Sequence, residues 1–216
     1  MSEVIVYGVP GSPYVRSVLL GLEEKGARYR LHALRLGEGK APEHLARHPF
    51  GRIPSISHDG YELYETQAII RYVDAAFPGL ELQPRDPRSA GRMNQIVGVV
   101  DWYIFQQVTA VISYNRLLAP LLGQTTDEDA IAAAVPNAVR CLDALERLRG
   151  TSRFLVGEAI SIADLMLAPQ LAVFATIPEG ERLLRGRPLA DWLTMMNERS
   201  SMRATTREQL TGQQAA

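Results

Sequence analysis

Hydrophobic and polar residues at the start of the chain follow first a strand pattern and then a helical one. The apolar run 4–7 predicts a short buried strand. After a turn rich in Gly and Pro, apolar residues recur at the i, i+3, i+4 and i+7 positions of a helix, namely Val15, Val18, Leu19 and Leu22. Ser12 and Pro13 stand where this helix begins, since serine is a favoured N-cap and proline suits the first helical position. The segment 4–22 is therefore predicted to be a strand, a turn and a helix.

The pattern continues with further strands and helices up to residue 77. Residues 29–36 alternate loosely and predict a second strand, and residues 43–48 predict a short helical turn. The Asp59-Gly60 pair between two apolar segments predicts a β-hairpin. A helix then opens at Glu65-Thr66. The predicted order of elements is β-α-β-α-β-β-α, which is an α/β domain.

A stretch rich in proline interrupts the pattern between residues 77 and 88 and predicts the one clear linker. Every apolar pattern after it has the helical period. We therefore expect an α/β domain at 1–77, a linker at 78–88 and an all-helical domain at 89–216.

Four helices are predicted in the second half. The first is long and ends at Ala119-Pro120, and the last covers 188–202. The other two begin at Thr126 and at Ser161, where an Asp three residues later completes a capping box. From Arg203 onward the chain is polar and lacks periodicity, so a loose tail is expected.

Composition places the chain among ordinary globular proteins and excludes several classes. It has 216 residues, a hydrophobic content of 46%, a charged content of 22% and a formal net charge of −1, which argue against a nucleic-acid binder. The single cysteine, Cys141, permits no intrachain disulfide. The most apolar long stretch, 96–122, carries charged and amide side chains and is not expected to span a membrane. Since the N-terminus also lacks a signal-peptide pattern, a cytoplasmic location is expected.

The turn before the first helix is the candidate for chemistry. The Ser12 hydroxyl is predicted to lie beside backbone N–H groups that lack intrahelical partners, at the positive end of a helix dipole. Such a position holds an anion, most readily one on sulfur or phosphate. The alternative is that Ser12 only caps the helix.

Other site hypotheses have weaker support. His44 and His48 have i, i+4 spacing, but no acidic residue or third ligand accompanies them, so no metal site is expected. The segment 37–41 lacks the spacing of a phosphate-binding loop. The segment 8–11 does not match the dinucleotide-binding fingerprint.

At this point the chain, over residues 3–202, resembles the cytosolic glutathione transferases. The resemblance rests on four motifs in the family's order: Ser12-Pro13-Tyr14-Val15, Phe50-Gly51-Arg52-Ile53-Pro54, Glu65-Thr66-Gln67-Ala68-Ile69 and Ser161-Ile162-Ala163-Asp164-Leu165. The segment 122–127 further resembles the serine-type phi branch. The resemblance implies a thioredoxin-like domain followed by an all-helical domain, and a homodimer. The absence of a cysteine near position 12 argues against the thiol-transferase branches.

The resemblance implies roles for residues near the first helix. The hydroxyl of Ser12 would donate a hydrogen bond to the sulfur of glutathione and favour the thiolate, which is the nucleophile. Arg16, one helical turn later, would add positive charge. Both are therefore candidate catalytic residues.

The rest of glutathione is assigned to two further motifs. Pro54 resembles the family's cis-proline, which would leave the backbone of Ile53 free to pair with the cysteinyl part. Glu65 and Thr66 would hold the ammonium and the carboxylate of the γ-glutamyl part.

The glycyl carboxylate and the electrophile complete the list of expected contacts. Lys40 and Arg52 are placed to meet the glycyl carboxylate, although Gly39 and Arg52 depart from the residues common in the phi branch. An apolar electrophile is expected to contact Tyr14, Tyr114 and Leu118.

The function implied is transfer of glutathione to apolar electrophiles, with reduction of peroxides as a second activity. Glutathione is the co-substrate, and no metal, nucleic acid or membrane is implied. The alternative from another class is a non-catalytic carrier or interaction protein of the same fold. An isomerase or dehalogenase that uses the same thiolate stays open.

Overall fold

The structure, a computed structural model, describes residues 2–214 and divides the chain into two compact units. The first unit contains the chain up to Gln83 together with the segment from Glu198 onward. The second unit is Pro84–Asn197. Everything after residue 88 was predicted to belong to the helical domain, so the return of the last segment to the first unit was not expected.

The first unit has the predicted order of elements. Its strands and helices, numbered in chain order, are β1 Val4–Gly8, α1 Pro13–Glu24, β2 Tyr29–Ala33, α2 Pro42–Arg47, β3 Ser55–His58, β4 Tyr61–Tyr64 and α3 Thr66–Ala76. The hairpin turn is at Asp59-Gly60, where both φ angles are positive (52° and 81°), as a tight hairpin turn requires. The β-α-β-α-β-β-α prediction is confirmed.

The four strands form one mixed sheet in the order β2-β1-β3-β4. β1 is parallel to β2 and antiparallel to β3, and β3 is antiparallel to β4. Tyr7, Ser55 and Tyr64 are aligned across β1, β3 and β4 in register. The ends of β1 and β4 and the beginning of β3 therefore lie at one edge of the sheet. This is a thioredoxin-like domain.

Helix α1 buries the face that its sequence period predicts. Val15, Val18, Leu19 and Leu22 are all at most 1% exposed. The helix packs on α3, where a Cβ atom added to Gly21 would lie 3.3 Å from Ile70 Cγ2. The N-termini of α1 and α3 both follow strands that end at the same sheet edge.

The second unit is all helical, as expected. It begins with α4, Pro87–Val99, which continues as a π-helical segment Val100–Leu118. The i→i−5 bond from Ala119 N–H to Tyr114 carbonyl marks the wider turns at the end of that segment. The remaining helices are α5 Glu128–Arg149, α6 Ile162–Phe174, α7 Pro178–Leu184 and α8 Pro188–Asn197.

By length and apolar composition, the continuous helical stretch Pro87–Leu118 is long enough to cross a membrane. Core helices of soluble proteins satisfy the same criterion, and this stretch buries one face within its own unit. Its fully buried residues recur every four positions at Val100, Ile104, Val108 and Ile112, and it packs against α5 and α6. We assign it as a core helix of the second unit.

Helix starts in this unit confirm one capping prediction and correct another. At α6, the Asp164 carboxylate accepts from the backbone N–H of Ser161 and of Leu155 and from Trp192 Nε1–H, so the predicted capping box is present. At α5, the cap is Asp127, which accepts from Ala130 N–H. The prediction of Thr126 was wrong by one residue because its hydroxyl bonds a carbonyl elsewhere.

The chain from Glu198 onward forms two short helices, α9 Ser200–Ala204 and α10 Arg207–Gln214. They replace the end of the single helix expected at 188–202 and the loose tail expected after Arg203, and both predictions were wrong. Among their described residues these two helices bury Ser201, Met202 and Leu210, which are too few positions to show a helical period in sequence. Contacts hold them instead, and Arg199 pairs with Glu24 at 2.6 Å. Burial alone would raise the pKa of the Glu24 carboxyl. Hydrogen bonds from Arg199 and Ser201 outweigh burial and lower that pKa.

Candidate active site

All the candidate binding segments of the first unit meet at one edge of its sheet. Because Tyr7, Ser55 and Tyr64 are in register, the residues that follow β1 and β4 and those that precede β3 are neighbours. These residues are the turn before α1, the Ile53-Pro54 peptide and the start of α3. Three motifs that are up to 54 residues apart in sequence, from Ser12 to Thr66, thus belong to one region.

A tight turn places Ser12 at the start of α1. Ser12 N–H donates to the Val9 carbonyl at 3.1 Å, with Pro10 and Gly11 at the two central positions. Gly11, at the third position of this β-turn, has φ +90°, a value that glycine adopts without steric strain. Gly8 is equally constrained, because a Cβ atom there would lie 2.4 Å from Val15 Cγ2. The backbone geometry of this turn therefore depends on both glycines.

Ser12 occupies the N-cap position but its side chain does not act as the cap. Its carbonyl accepts from Arg16 N–H at 2.9 Å, whereas its hydroxyl makes no capping hydrogen bond to the described residues of α1. The side chain is half-buried. A hydroxyl at the positive end of a helix, not engaged in capping, is available to a ligand.

The guanidinium of Arg16 contacts the C-terminal segment of the same unit. Arg16 donates to the Met202 carbonyl at 2.7 Å and to Thr205 Oγ1 at 3.3 Å. Burial lowers the pKa of Arg16, and the charge of Glu208 opposes that change. The aliphatic part of Arg207 also lies close to the turn, since a Cβ atom on Gly11 would be 3.3 Å from Arg207 Cδ.

The Ile53–Pro54 peptide bond is cis, which confirms that prediction. Pro54 is buried and Ile53 half-buried. Across the sheet edge, Glu65 precedes α3 with φ +72°, a region that disfavours residues with a side chain. Its carboxylate is exposed, while Thr66 is 7% exposed. Backbone strain at an exposed acidic residue is typical of a ligand-binding position.

Lys40 and Arg52 are brought together by a contact between two glycines. A Cβ atom on Gly51 would lie 2.8 Å from the Gly39 carbonyl oxygen, and one on Gly39 would lie 3.1 Å from the Gly51 oxygen. Lys40 Nζ reaches the Phe50 carbonyl at 3.5 Å. Both cationic side chains are exposed, and neither forms an ion pair with any residue from 2 to 214. The contact depends most on Gly51, where φ is +60° and an added Cβ atom would lie closest, while Gly39, which departs from the phi pattern, leaves room on the other side.

Two buried histidines lie under these loops. His44 and His48 are each 2% exposed, and their rings stack with centroids 6.2 Å apart. His44 Nε2 lies 2.7 Å from the Arg52 carbonyl oxygen, so this nitrogen is already engaged. Burial, with smaller contributions from His44 and Arg52, lowers the pKa of His48, while Glu65 acts in the opposite direction.

The residues predicted to contact the electrophile lie in both units. Tyr14 is half-buried in the first turn of α1. In the second unit, Tyr114 and Leu118 are half-buried in the π-helical segment, and Tyr114 OH donates to Gln124 Oε1 at 2.8 Å. Their role as an electrophile site stays a prediction.

Three features of this region were not predicted from the sequence. His44 and His48 were considered only as metal ligands, and Gly39 only as a departure from the phi pattern. The contact of the C-terminal segment with Arg16 was not expected. The only sequence signal for the histidines was their i, i+4 spacing, and no local signal marked the other two.

Comparison with known proteins gives a consistent result over most of the chain. Two family models match, described as glutathione S-transferase N-terminal domain at residues 6–81 and C-terminal domain at residues 128–194. Glutathione S-transferase 4 of Zea mays is 31% identical over 75% of this chain and 73% of its own length.

Solved structures agree with the sequence matches. Glutathione transferase F7 from Populus trichocarpa superposes with a TM-score of 0.85 at 27% identity, covering 94% of this chain and 97% of its own. Glutathione S-transferase I from mais, in complex with an atrazine glutathione conjugate, has a TM-score of 0.83 at 25% identity and covers 96% of this chain and 98% of its own.

Proposed function

We propose, for a chain that belongs to the glutathione S-transferase family and to its phi branch, that Ser12 activates the thiol of glutathione for attack on an apolar electrophile. Glutathione transferase activity is the activity of the family, and glutathione is its co-substrate. The observation that carries the proposal is the Ser12 hydroxyl, which is not used for capping at the start of α1 and lies at the sheet edge shared with Ile53-Pro54 and Glu65-Thr66.

The physical effect of Ser12 follows from its position. A thiol has an ordinary pKa near ~8.5. A hydrogen bond to a charged group contributes roughly 1.5–3 kcal/mol, and the positive end of a helix contributes roughly 0.3–1 kcal/mol. At about 1.4 kcal/mol per pKa unit, the two effects lower the thiol pKa by roughly one to three units. A lowering of about two units or more leaves most of the bound glutathione as thiolate at neutral pH.

The remaining site residues bind the peptide and its charges. The backbone of Ile53 pairs with the cysteinyl part, and the Glu65 carboxylate accepts from the γ-glutamyl ammonium. Thr66 holds the γ-glutamyl carboxylate with its N–H and hydroxyl at the start of α3. Lys40 and Arg52, whose charges are not neutralised by ion pairs within residues 2–214, bind the glycyl carboxylate.

We propose that Arg16 has a structural role. Its guanidinium donates hydrogen bonds to Met202 and Thr205, and these bonds hold the C-terminal segment against α1. A direct electrostatic effect on the thiolate, which the family resemblance had suggested, is the alternative that a variant can test.

The class of electrophile is proposed from the comparisons and the predicted contacts. The mais enzyme binds an atrazine glutathione conjugate, which supports an apolar electrophile. Detoxification is the role we propose, and reduction of peroxides is a proposed second activity. Tyr14, Tyr114 and Leu118 are the proposed contacts of that electrophile. A non-catalytic carrier is not favoured, because a carrier does not require an activating hydroxyl at Ser12.

We further propose a cytoplasmic homodimer. Each unit exposes large aromatic side chains: Phe50 is 65% exposed in the first unit, and Trp102 and Tyr103 are 73% and 60% exposed in the second. Exposed aromatic side chains are enriched at protein interfaces. Sedimentation of the wild type and of a Trp102→Ser variant tests this, and a monomeric wild type would refute it.

The deciding experiment is the ultraviolet absorbance of thiolate when glutathione binds, followed against pH. The proposed function predicts a titration midpoint roughly one to three units below ~8.5. A midpoint at the value of free glutathione would contradict thiol activation and favour the carrier.

A further inference from the structure

We propose that His44 is a positioning residue that directs the Ile53 N–H toward glutathione. His48, through its contact with Tyr64, supports the start of α3 on the other side of the same site. The inference rests on the proposed function, because it concerns the backbone that would bind the cysteinyl part. Neither histidine belongs to the motifs by which the chain resembles its family. Both are buried side chains for which the activity described above gives no reason.

The proton position of His44 follows from its partner. Its Nε2 lies 2.7 Å from the Arg52 carbonyl oxygen, which can only accept, so Nε2 carries the proton. Nδ1 is buried and makes no hydrogen bond with residues 2–214. The neutral imidazole with Nε2–H therefore satisfies the one available partner, whereas a proton on Nδ1 would be a buried donor without an acceptor.

The bond to Arg52 sets the direction of the next N–H. Arg52 and Ile53 share a peptide unit, which is planar, and in its trans form the carbonyl and the N–H point in opposite directions. A carbonyl held toward His44, on α2, therefore turns the Ile53 N–H away from α2. Ile53 is followed by the Pro54 ring, which has no N–H, so the Ile53 N–H is the donor that this short segment can offer.

His48 extends the support to the other side of the site. The centroid of its ring lies 4.6 Å from the ring centroid of Tyr64 and 6.2 Å from that of His44. Tyr64 directly precedes Glu65 and Thr66, which are proposed to hold the γ-glutamyl part. The adjacent rings of His44, His48 and Tyr64 thus link the segment before Pro54 to the start of α3, so the two parts of the binding backbone have a common support.

Two substitutions separate the hydrogen bond from simple packing. His44→Leu fills the space but removes the donor, and His44→Gln retains an amide donor that can reach the position of Nε2. We expect the Leu variant to weaken glutathione binding about fivefold to tenfold, the equivalent of one hydrogen bond, and the Gln variant to restore most of it. Because the bond positions a binding group and not the thiolate, kcat at saturating glutathione should change less than about twofold.

Calorimetric titration with glutathione and the split between KM and kcat are the measurements. His32→Gln, an exposed histidine on β2, is the matched control and should bind as the wild type does. A Leu variant that binds with wild-type affinity would overturn the proposal. Equal losses in the Leu and Gln variants would also overturn it, because packing would then be the cause.

A second measurement needs no ligand. Long-range ¹H–¹⁵N correlation of the imidazole nitrogens in the free protein reports which nitrogen of His44 is protonated. The proposal requires the Nε2–H form, and an Nδ1–H form would overturn it. If the wild type failed to bind glutathione, the proposed function would be refuted, whereas this tautomer test would still decide the role of His44 within the fold.

Discussion

Arg16 donates a hydrogen bond to the Met202 carbonyl at 2.7 Å, although 186 positions separate the two residues in the chain. The bond attaches the C-terminal segment to the helix that begins at Ser12. A residue that the family resemblance placed in catalysis thus has a structural partner in the first unit.

Replacing Arg16 with Met should lower stability and leave the thiol chemistry unchanged. Loss of charge-assisted bonds to Met202 and Thr205 should reduce the free energy of unfolding by about 1.5–3 kcal/mol. Denaturant unfolding and the thiolate titration are the measurements, and Arg30→Met, at an exposed pair with Glu3, is the control. A raised thiol pKa with unchanged stability would show that Arg16 acts on the thiolate instead.

Replacing Ser12 with Ala separates an enzyme from a scaffold. Since the hydroxyl does not cap α1, we expect little change in stability, below the ~0.5–2 kcal/mol of a lost cap. Glutathione should still bind, but conjugation at neutral pH should slow by roughly 10- to 30-fold as the thiol pKa returns toward ~8.5 and the thiolate fraction falls. The measurement is the pH–rate profile with a simple aromatic electrophile.

Ser17→Ala is the control for that variant, because the Ser17 hydroxyl donates to the Pro13 carbonyl within the same helix. It should leave the pH–rate profile unchanged. If the Ser12 variant and the wild type gave superimposable profiles, Ser12 would have no catalytic role.

Replacing Glu65 with Ala should weaken glutathione binding specifically. Loss of a charge-assisted bond to the ammonium should cost at least about 1.5 kcal/mol, or roughly tenfold in Kd. Calorimetry compares Glu65→Ala with Glu62→Ala, a nearby exposed carboxylate on β4. An equal loss in the two variants would indicate a nonspecific effect of charge.

The buried pair of Lys25 and Asp74 should contribute strongly to the stability of the first unit. Lys25 Nζ lies 3.0 Å from Asp74 Oδ1 and 2.8 Å from the Leu80 carbonyl, and the two side chains are 2% and 8% exposed. Lys25→Met leaves a buried carboxylate without its cation and should cost about 3–5 kcal/mol in urea unfolding. Arg185→Met, at an exposed pair with Glu181, should cost less than about 1 kcal/mol. Equal costs would refute the role assigned to burial.

The same pair makes stability depend on acid pH. Burial would raise the pKa of Asp74, but bonds from Leu82 N–H, Gln83 and Lys25 outweigh it and lower the pKa. The stabilisation is therefore complete above the unfolded value near ~3.9 and is lost as the pH falls through the lower folded value. The stability difference between wild type and Asp74→Asn should narrow below about pH 4. A difference that stayed constant from pH 7 to pH 3 would contradict this.

Local sequence predicted the elements that have strong periodicity or a distinct turn. The helix after Ser12, the Asp59-Gly60 hairpin and the Ser161 capping box were predicted and are present. It did not predict α7, α9 or α10, because these three short helices bury too few apolar positions to show a period. The site residues were named from motifs, and their roles stay predictions.

The sequence by itself determined the α/β and all-helical halves, the position of Ser12 at a helix start and the family to which the motifs belong. These features depend on residues close to each other in the chain, where turn chemistry and apolar periods act. Only the tertiary structure decided what the side chains touch. The Gly39–Gly51 contact, the bond from His44 to the Arg52 carbonyl and the docking of the C-terminal segment on Arg16 all depend on sheet register and packing, which no local pattern encodes.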